Sequence, residues 1–204
     1  MEVLKSLLEK INLPSLQLVD CEADDLIASF VQQTRKAIPE IIFDIFTRDK
    51  DMLQLINPNT NILKYIDSKI ALYTEEHFQQ EYNFSPENYV DYLSLMGDNI
   101  DNVGGVKGIG PVGAKKLIQQ FGTVEKIYQK IPELPENTQK LLENGQEKVL
   151  RNKKIISLSA DIPLPTEKYK NCNFCWEEWK NNPELHQFCQ DNSFRSILRL
   201  LKTG

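Results

Sequence analysis

The chain has 204 residues, 41% of them hydrophobic and 26% charged, and a formal net charge of −5. This length fits one large domain or two small ones, and the acidic balance argues against a protein that coats nucleic acid. No apolar run approaches the roughly 20 residues of a membrane helix, and the N-terminus lacks a signal-peptide pattern, so we expect a cytoplasmic protein. Four cysteines are too few for a disulfide scaffold.

The first acidic segment opens a predicted helix. A short amphipathic helix is predicted over Val3–Leu8, and residues 23–31 then carry apolar side chains at helical spacing. Glu22, Asp24 and Asp25 crowd the first turn of this second helix, where the helix dipole tolerates negative charge. Three carboxylates in four positions exceed what a helix cap requires. A shared site would need the helix to start late, because regular spacing turns Asp24 away from the other two.

The second acidic segment follows a predicted strand. Residues 41–47 are β-branched and aromatic, which predicts a buried strand of the parallel type. Asp49 and Asp51 come directly after it, and ligands of α/β sheets bind beyond the carboxyl ends of strands. A metal site is therefore one interpretation, and a solvated loop with an Arg48–aspartate pair is the other.

The middle of the chain predicts a hairpin and then helices. Strands are expected over residues 61–66 and 69–73 with a turn at Asp67-Ser68, followed by helices over 74–82 and from Ser85 to about Met96. Residues 137–158 predict one or two helices broken near Gly145, and a last helix is expected over 194–202. The first half thus mixes strands with helices and the second half is nearly all helical, which places a domain boundary near residue 84.

The third segment, residues 97–122, joins acids to a glycine-rich turn. Asp98 and Asp101 precede Gly104, Gly105, Gly108 and Gly110. Past Gly110, Pro111 marks a helix start, and the helix over 112–121 ends at Gly122. Glycine-rich turns that lead into a helix N-terminus bind phosphate through backbone N–H groups. From Val103 to Gly122 the chain carries lysines and no acid. The lysines able to hold a nucleic-acid backbone are Lys107, Lys115 and Lys116.

Seven carboxylates at these three places would repel one another unless divalent cations neutralised them. Oxygen-only ligands select Mg²⁺ or Mn²⁺ over zinc, and two such ions can hydrolyse a phosphodiester. The pattern therefore predicts a metal-dependent phosphodiesterase that acts on nucleic acid. Its candidate catalytic and metal-binding residues are Glu22, Asp24, Asp25, Asp49, Asp51, Asp98 and Asp101.

Three motifs in order, CEADDLIA, FTRDKDMLQLI and LMGDNIDNVGGVKGIGPVGAKKL, resemble the 5′→3′ exonuclease (5′-nuclease) domain of bacterial DNA polymerase I, in the flap endonuclease family. The resemblance implies a partial PIN-like α/β nuclease core over residues 1–84. It also implies an all-α domain over residues 85–204 with a helix–three-turn–helix DNA clamp at about 94–122. The fold class expected is therefore α/β followed by an all-α DNA-binding domain.

The resemblance also assigns roles to single residues. Glu22, Asp24 and Asp25 would serve a first metal site, and the remaining four aspartates a second one. A monovalent cation, often K⁺ in the family, would lie in the hairpin from Gly105 to Gly110. The residues expected to contact DNA are Gly105, Lys107, Gly108, Gly110, Gly113, Lys115 and Lys116.

The sequence departs from the family at its start. Family members begin with a strand that ends in Asp-Gly, followed by a further aspartate and by arch helices that grip the scissile phosphate. None of this precedes Met1. We therefore expect the 204 residues alone to cleave a 5′ flap or nick poorly, and to need a complementary N-terminal fragment or to work beside a DNA polymerase. The alternative is a non-catalytic remnant that only binds duplex DNA.

A second alternative is zinc binding near the C-terminus. Cys172 and Cys175 are followed by His186 and Cys189, which are acceptable zinc ligands at a reasonable spacing. The residues between them include Trp176, Trp179 and Leu185, which favour an amphipathic cap that packs on the DNA clamp, and the family resemblance implies no zinc there. We therefore expect no zinc site.

Overall fold

The computed structural model describes residues 2–98, 102–165 and 176–203. The described chain forms helices throughout and short strands in its first half. In chain order the elements are α1 (Glu2–Lys10), α2 (Ala23–Ala37), β1 (Phe43–Phe46), β2 (Thr60–Ile66), β3 (Lys69–Tyr73), α3 (Glu75–Tyr82), α4 (Tyr89–Met96), β4 (Gly97–Asp98), β5 (Val103–Gly104), α5 (Pro111–Phe121), α6 (Val124–Gln129), α7 (Glu136–Ile156), α8 (Trp176–Lys180), α9 (Pro183–Asp191) and α10 (Arg195–Thr203). Short 3₁₀ helices lie at Asp51–Leu55, Pro86–Asn88 and Ile131–Glu133.

The chain folds as two compact units. One is Ile27–Asp161, and the other combines the residues up to Leu26 with those from Ile162 onward. Within the larger unit, the sheet and the helices share one hydrophobic core that runs from Val31 to Ile156. The domain boundary near residue 84 stays a prediction.

The sheet of the larger unit has the order β1-β2-β3. β1 is parallel to β2, with Ile45 opposite Ile62, and β2 and β3 form the expected antiparallel hairpin. Asp67 and Ser68 both have positive φ, as a tight two-residue turn requires. The parallel pairing of β1 is as predicted, but its burial is not. Ile45 is buried and Phe46 is 60% exposed, because successive side chains of a strand point to opposite faces and only the face of Ile45 is covered.

A buried charge network connects the helices of the larger unit. Asp91 on α4 is 3% exposed and accepts a hydrogen bond from the Val124 backbone N–H at 2.9 Å. Lys153 on α7 donates to Asp91 Oδ1 at 2.6 Å and to Glu125 at 2.9 Å. Burial lowers the pKa of Lys153, but its hydrogen bonds to the two carboxylates outweigh burial and raise it overall. The network therefore holds α4, α6 and α7 together.

Helix α7 is one unbroken helix, so the predicted break near Gly145 is wrong. A Cβ at position 145 would lie 2.9 Å from Val106 Cγ2. The glycine is present because the helix packs closely on Val106, and not because the helix ends there.

The smaller unit has its own hydrophobic cluster. Leu7 of α1 packs with Leu185, Cys189 and Leu201 of the C-terminal helices. Trp176 and Trp179 pack against this cluster, as expected of an amphipathic segment, and its members come from α1 and the C-terminal helices. That the segment packs on the DNA clamp stays a prediction. The predicted last helix is confirmed as α10.

Two of the four candidate zinc ligands, His186 and Cys189, lie within the described residues. His186 Nε2 lies 2.8 Å from the Lys180 carbonyl oxygen, and Cys189 is fully buried. Cys172 and Cys175 lie outside the described residues.

No helix formed by the described ranges combines the length and apolar character needed to cross a membrane.

The Asp91 network yields a stability prediction. Replacing Lys153 by Met leaves the Asp91 carboxylate buried without its cation, and we expect a loss of about 3 kcal/mol in the free energy of unfolding. Urea unfolding followed by circular dichroism measures this loss. The matched control is Lys140→Met, which removes an exposed ion pair with Glu136 and should change stability by less than about 0.5 kcal/mol. Equal effects of the two variants would contradict the network's role.

Candidate functional site

The first acidic segment lies at the start of α2. The helix begins at Ala23, so Glu22 immediately precedes it, and the Leu26 N–H donates to the Glu22 carbonyl at 3.1 Å. The Asp25 N–H donates to Asp24 Oδ1 at 2.9 Å. Asp24 and Asp25 are half-buried, whereas Glu22 is exposed. The helix thus includes Asp24 and Asp25 in its first turn, and a shared use of the three acids stays a prediction.

The second acidic segment is the loop after β1. The Asp49 N–H donates to Thr47 Oγ1 at 3.0 Å, and the Asp51 N–H donates to Asp49 Oδ1 at 2.9 Å. Asp49 therefore binds the first residue of the 3₁₀ helix Asp51–Leu55. Arg48 lies over the ring of Tyr65, 6.0 Å from its centroid. These local bonds hold the loop in one shape at the carboxyl end of β1.

Asp51 also influences the aromatic core. Burial raises the pKa of Tyr89, and the nearby phenol of Tyr82 and the carboxylate of Asp51 raise it further. Tyr89 is the first residue of α4, the helix that leads to Asp98. The loop after β1 therefore lies beside the helix that carries the third acidic segment.

A short ion pair joins the second and third acidic segments. Asp98 on β4 is 1% exposed, and Lys50 Nζ lies 2.5 Å from its Oδ2. A buried carboxylate needs a nearby positive charge, and Lys50 supplies one from between Asp49 and Asp51. The structure therefore brings the Asp49–Asp51 loop to Asp98. Asp101 lies outside the described residues.

Asp98 is held by a very short β-hairpin. Gly97 pairs with Gly104 and Asp98 with Val103 across β4 and β5. A Cβ on Gly105 would lie 2.1 Å from the Met96 carbonyl oxygen, and one on Gly97 would lie 2.2 Å from the Gly105 nitrogen. The two backbones can come this close because both positions are glycine.

A buried amide fastens the hairpin to the helices. Asn152 of α7 is 0% exposed, and its Nδ2 donates to the carbonyls of Ser94 at 3.1 Å and Gly104 at 3.0 Å. Both neighbours are acceptors, so the amide nitrogen must face them. Asn152 thereby links α7 to the end of α4 and to β5.

The glycine-rich turn leads from the hairpin into α5. Gly108 has φ +92°, Gly110 is the N-cap and Pro111 is the first helical residue, as the sequence predicts. Residues 110–113 are exposed, so the helix N-terminus is open to a ligand. A phosphate group fits there, because the first N–H groups of a helix lack partners within the helix.

The three predicted DNA-binding lysines differ in their surroundings. Lys107 and Lys116 are exposed. Lys115 Nζ donates to the Glu81 carbonyl at 2.7 Å, and Gln119 binds the next carbonyl, that of Tyr82, at 3.3 Å. Lys115 therefore ties α5 to the end of α3, and Lys107 and Lys116 are the lysines that extend into solvent.

The site contains ligands of the type that divalent ions prefer. Within residues 2–98, 102–165 and 176–203, no three histidine, cysteine or acidic side chains are grouped closely enough to hold a metal ion. The donors are nevertheless carboxylates, and the buried carboxylate of Asp98 lies 2.5 Å from the ammonium group of Lys50. This donor chemistry fits Mg²⁺ or Mn²⁺.

Two residues of the site were missed by sequence reasoning. Lys50 had a sequence signal, because it is a cation between two aspartates, but its partner Asp98 is remote in the chain. Asn152 had no signal, since it lies within an ordinary helical pattern. Its role depends on carbonyls that only the folded chain brings to it.

The class of protein follows from comparison with known families. Residues 1–83 match the model of the 5′-3′ exonuclease N-terminal resolvase-like domain, and residues 84–180 match that of the 5′-3′ exonuclease C-terminal SAM fold. The chain belongs to the 5′-3′ exonuclease family, as its motifs predict.

Among curated relatives, the 5′-3′ exonuclease of Mycoplasma genitalium is 40% identical over 146 residues, covering 70% of this chain and 50% of the relative. The DNA polymerase I of Caldicellulosiruptor bescii is 31% identical over 202 residues, covering 97% of this chain and 23% of the relative. The chain spans about half the length of the curated 5′-3′ exonucleases that it matches.

Solved structures agree with this fold. The T5 5′-exonuclease with bound divalent metal ions (zinc) matches with a TM-score of 0.64 and 22% identity, covering 90% of this chain and 63% of that one. The catalytic core of Rad2 in complex with DNA matches with a TM-score of 0.53 and 18% identity, covering 98% and 68%. The α/β fold with a helical domain is therefore confirmed.

The hairpin glycines yield a prediction with a built-in control. Gly105→Ala places a methyl group against the Met96 carbonyl, so we expect a loss of about 3 kcal/mol or more in the free energy of unfolding. Gly104→Ala meets nothing within 4 Å and should change stability by less than about 0.5 kcal/mol. Thermal and urea unfolding of both variants measure the difference. Similar stabilities would show that the close backbone approach does not constrain the hairpin.

Proposed function

We propose that this chain is a structure-selective DNA 5′ nuclease, which hydrolyses phosphodiesters as a 5′→3′ exonuclease and flap endonuclease. One observation carries the proposal. A single supersecondary unit holds the buried carboxylate of Asp98 on β4 and continues through β5 into the glycine-rich turn and α5. The carboxylate proposed as a metal ligand and the turn proposed to bind phosphate thus lie on one supersecondary unit. The names of its relatives, 5′-3′ exonuclease and DNA polymerase I, support the same reaction.

The carboxylates have a defined task in this proposal. By family resemblance, Glu22, Asp24 and Asp25 hold one divalent ion, and Asp49, Asp51, Asp98 and Asp101 hold the other. Two such ions would supply Lewis-acid stabilisation of the phosphate and activation of the attacking water. Mg²⁺ is the ion we propose, with Mn²⁺ as a substitute, since the ligands are oxygen atoms.

The hairpin and α5 bind the DNA backbone. The exposed N-terminus of α5 accepts a phosphate through backbone N–H groups, and Lys107 and Lys116 add positive charge on the same segment. Such contacts position a duplex without reading its sequence. We also propose that the turn from Gly105 to Gly110 holds a K⁺ ion, as resemblance to the family implies.

A second candidate function is DNA binding without catalysis. The observation that favours it is the lack of a three-acid group among the described residues, beside the paired strands β4 and β5 that lead into α5. In this case the chain would bind duplex through α5 and leave it intact. Measuring cleavage and binding on the same substrate separates the two candidates.

We further propose a protein partner within the cytoplasm. Among the described strands, β1 pairs on one side with β2. Ile42, which precedes β1, and Phe46, its last residue, are exposed. An exposed apolar strand edge is a place where another strand can add. A complementary nuclease fragment that adds a strand fits this edge, and a DNA polymerase is a second partner consistent with the family.

The central prediction concerns cleavage of a 5′-flap DNA in Mg²⁺. We expect cleavage by the wild-type chain, together with a complementary fragment if one is required, and a loss of about 100-fold or more in Asp98→Ala. A fluorescent flap substrate resolved on a denaturing gel measures the rate. EDTA should abolish cleavage, because the carboxylates act through divalent ions.

Duplex binding is the control for this experiment. Retained binding with no cleavage under any of these conditions would favour the non-catalytic alternative. Robust cleavage by the 204 residues alone that Asp98→Ala abolishes would overturn the expectation that the chain cleaves poorly by itself.

Salt dependence tests the DNA-binding face. Lys107→Ala and Lys116→Ala should each weaken binding equally on all sequences and reduce the slope of log K against log salt by about 1. Fluorescence anisotropy over a salt series measures this slope. Lys69→Ala, on the exposed part of β3, should leave it unchanged. An equal effect of Lys69→Ala would show that the binding face lies elsewhere.

A further inference from the structure

The buried carboxylate of Asp98 already has a cation beside it. Lys50 Nζ lies 2.5 Å from Asp98 Oδ2, and Asp98 is 1% exposed. An ionised carboxylate in so buried a place is destabilising without a compensating positive charge. The folded chain therefore satisfies part of the charge requirement of its site with its own lysine.

The position of Lys50 in the chain places its ammonium group among proposed metal ligands. Asp49 and Asp51 flank it, and the Asp51 N–H is bound to Asp49 Oδ1 at 2.9 Å. This bond fixes the loop that carries Lys50. A divalent ion bound by Asp98 would need the space beside its carboxylate that Lys50 Nζ now occupies.

A cavity beside the loop offers space into which the side chain of Lys50 can move. A cavity of about 300 Å³ lies against the same loop, lined by Thr47, Arg48, Asp49 and Lys50 together with Leu53 and Lys64. The side chain of Lys50 is 33% exposed, so it can rotate towards solvent without unfolding of the surrounding structure.

We propose that Lys50 is an exchangeable internal counter-ion, which neutralises Asp98 while the site holds no divalent ion and moves away when one binds. This inference rests on the proposed function, because it takes Asp98 as a metal ligand. Lys50 acts here as a positioning residue. It keeps the hairpin attached to the loop in the metal-free protein, and it competes with the metal for the same carboxylate.

The chain contains a second lysine–aspartate pair that serves as a matched control. Lys153 Nζ lies 2.6 Å from the buried Asp91, which resembles the Lys50–Asp98 pair in distance and burial. Lys153 also binds Glu125, and the backbone N–H of Val124 binds Asp91. This second pair belongs to a structural network that includes none of the proposed metal ligands.

The two roles predict different effects on metal binding. If Lys50 competes with the metal, Lys50→Met should lower the melting temperature in EDTA and lower the Kd for Mg²⁺ about tenfold. Lys153→Met should also lower the melting temperature, but it should leave the Kd for Mg²⁺ unchanged. A lysine with a purely structural role would not tighten metal binding when it is removed.

The experiment is calorimetric titration of the full chain with Mg²⁺, repeated with Mn²⁺, alongside thermal unfolding in EDTA. Lys50→Arg provides a variant that keeps the charge and the fold. Its forked guanidinium pairs more firmly with a carboxylate, so its Kd for Mg²⁺ should rise. An unchanged or higher Kd in Lys50→Met, or a lower one in Lys50→Arg, would overturn the proposal.

Asp98→Asn distinguishes failure of this inference from failure of the proposed function. Loss of Mg²⁺ binding in Asp98→Asn with an unchanged Kd in Lys50→Met would overturn the counter-ion role alone. Unaltered Mg²⁺ binding in Asp98→Asn would overturn the assignment of Asp98 as a ligand, and the counter-ion role with it.

Discussion

The close approach of two backbones at Gly97 and Gly105 is the constraint on which the site depends. A Cβ on Gly97 would lie 2.2 Å from the Gly105 nitrogen, and one on Gly105 would lie 2.1 Å from the Met96 carbonyl oxygen. Side chains at these positions would force β4 and β5 apart. Because the strands can pair tightly, Asp98 is held at the end of α4, and the chain turns at once into the glycine-rich segment before α5.

This constraint couples catalysis and DNA binding in the proposed nuclease. The acid and the phosphate-binding turn lie on neighbouring parts of one hairpin, so their spacing is set by the backbone. Asn152 reinforces this arrangement from α7, since it holds the carbonyls of Ser94 and Gly104 together. A site built on rigid elements keeps its geometry better than one carried by loose loops.

Two buried aspartates each pair with a lysine, but their surroundings differ. Asp91 is bound by Lys153 and by the Val124 N–H, and its network joins three helices of the larger unit. Asp98 is bound by Lys50, which comes from a loop rich in acids. The first pair is surrounded by structural contacts, whereas the second contains a carboxylate that we propose as a metal ligand. Burial and the lysine–aspartate distance alone would not distinguish the structural pair from the pair at the proposed metal site.

The sequence by itself determined the order of the three acidic motifs, the hairpin turn at Asp67-Ser68 and the N-terminus of α5 at Gly110-Pro111. These features depend on local chemistry, such as positive φ, capping and strand propensity, and so they can be recognised within a few residues. Only the tertiary structure decided that Lys50 neutralises Asp98, that Asn152 fastens the hairpin, and that Gly145 lies inside an unbroken helix. Each of these depends on partners some 40 or more residues away in the chain, and local patterns carry no information about such partners.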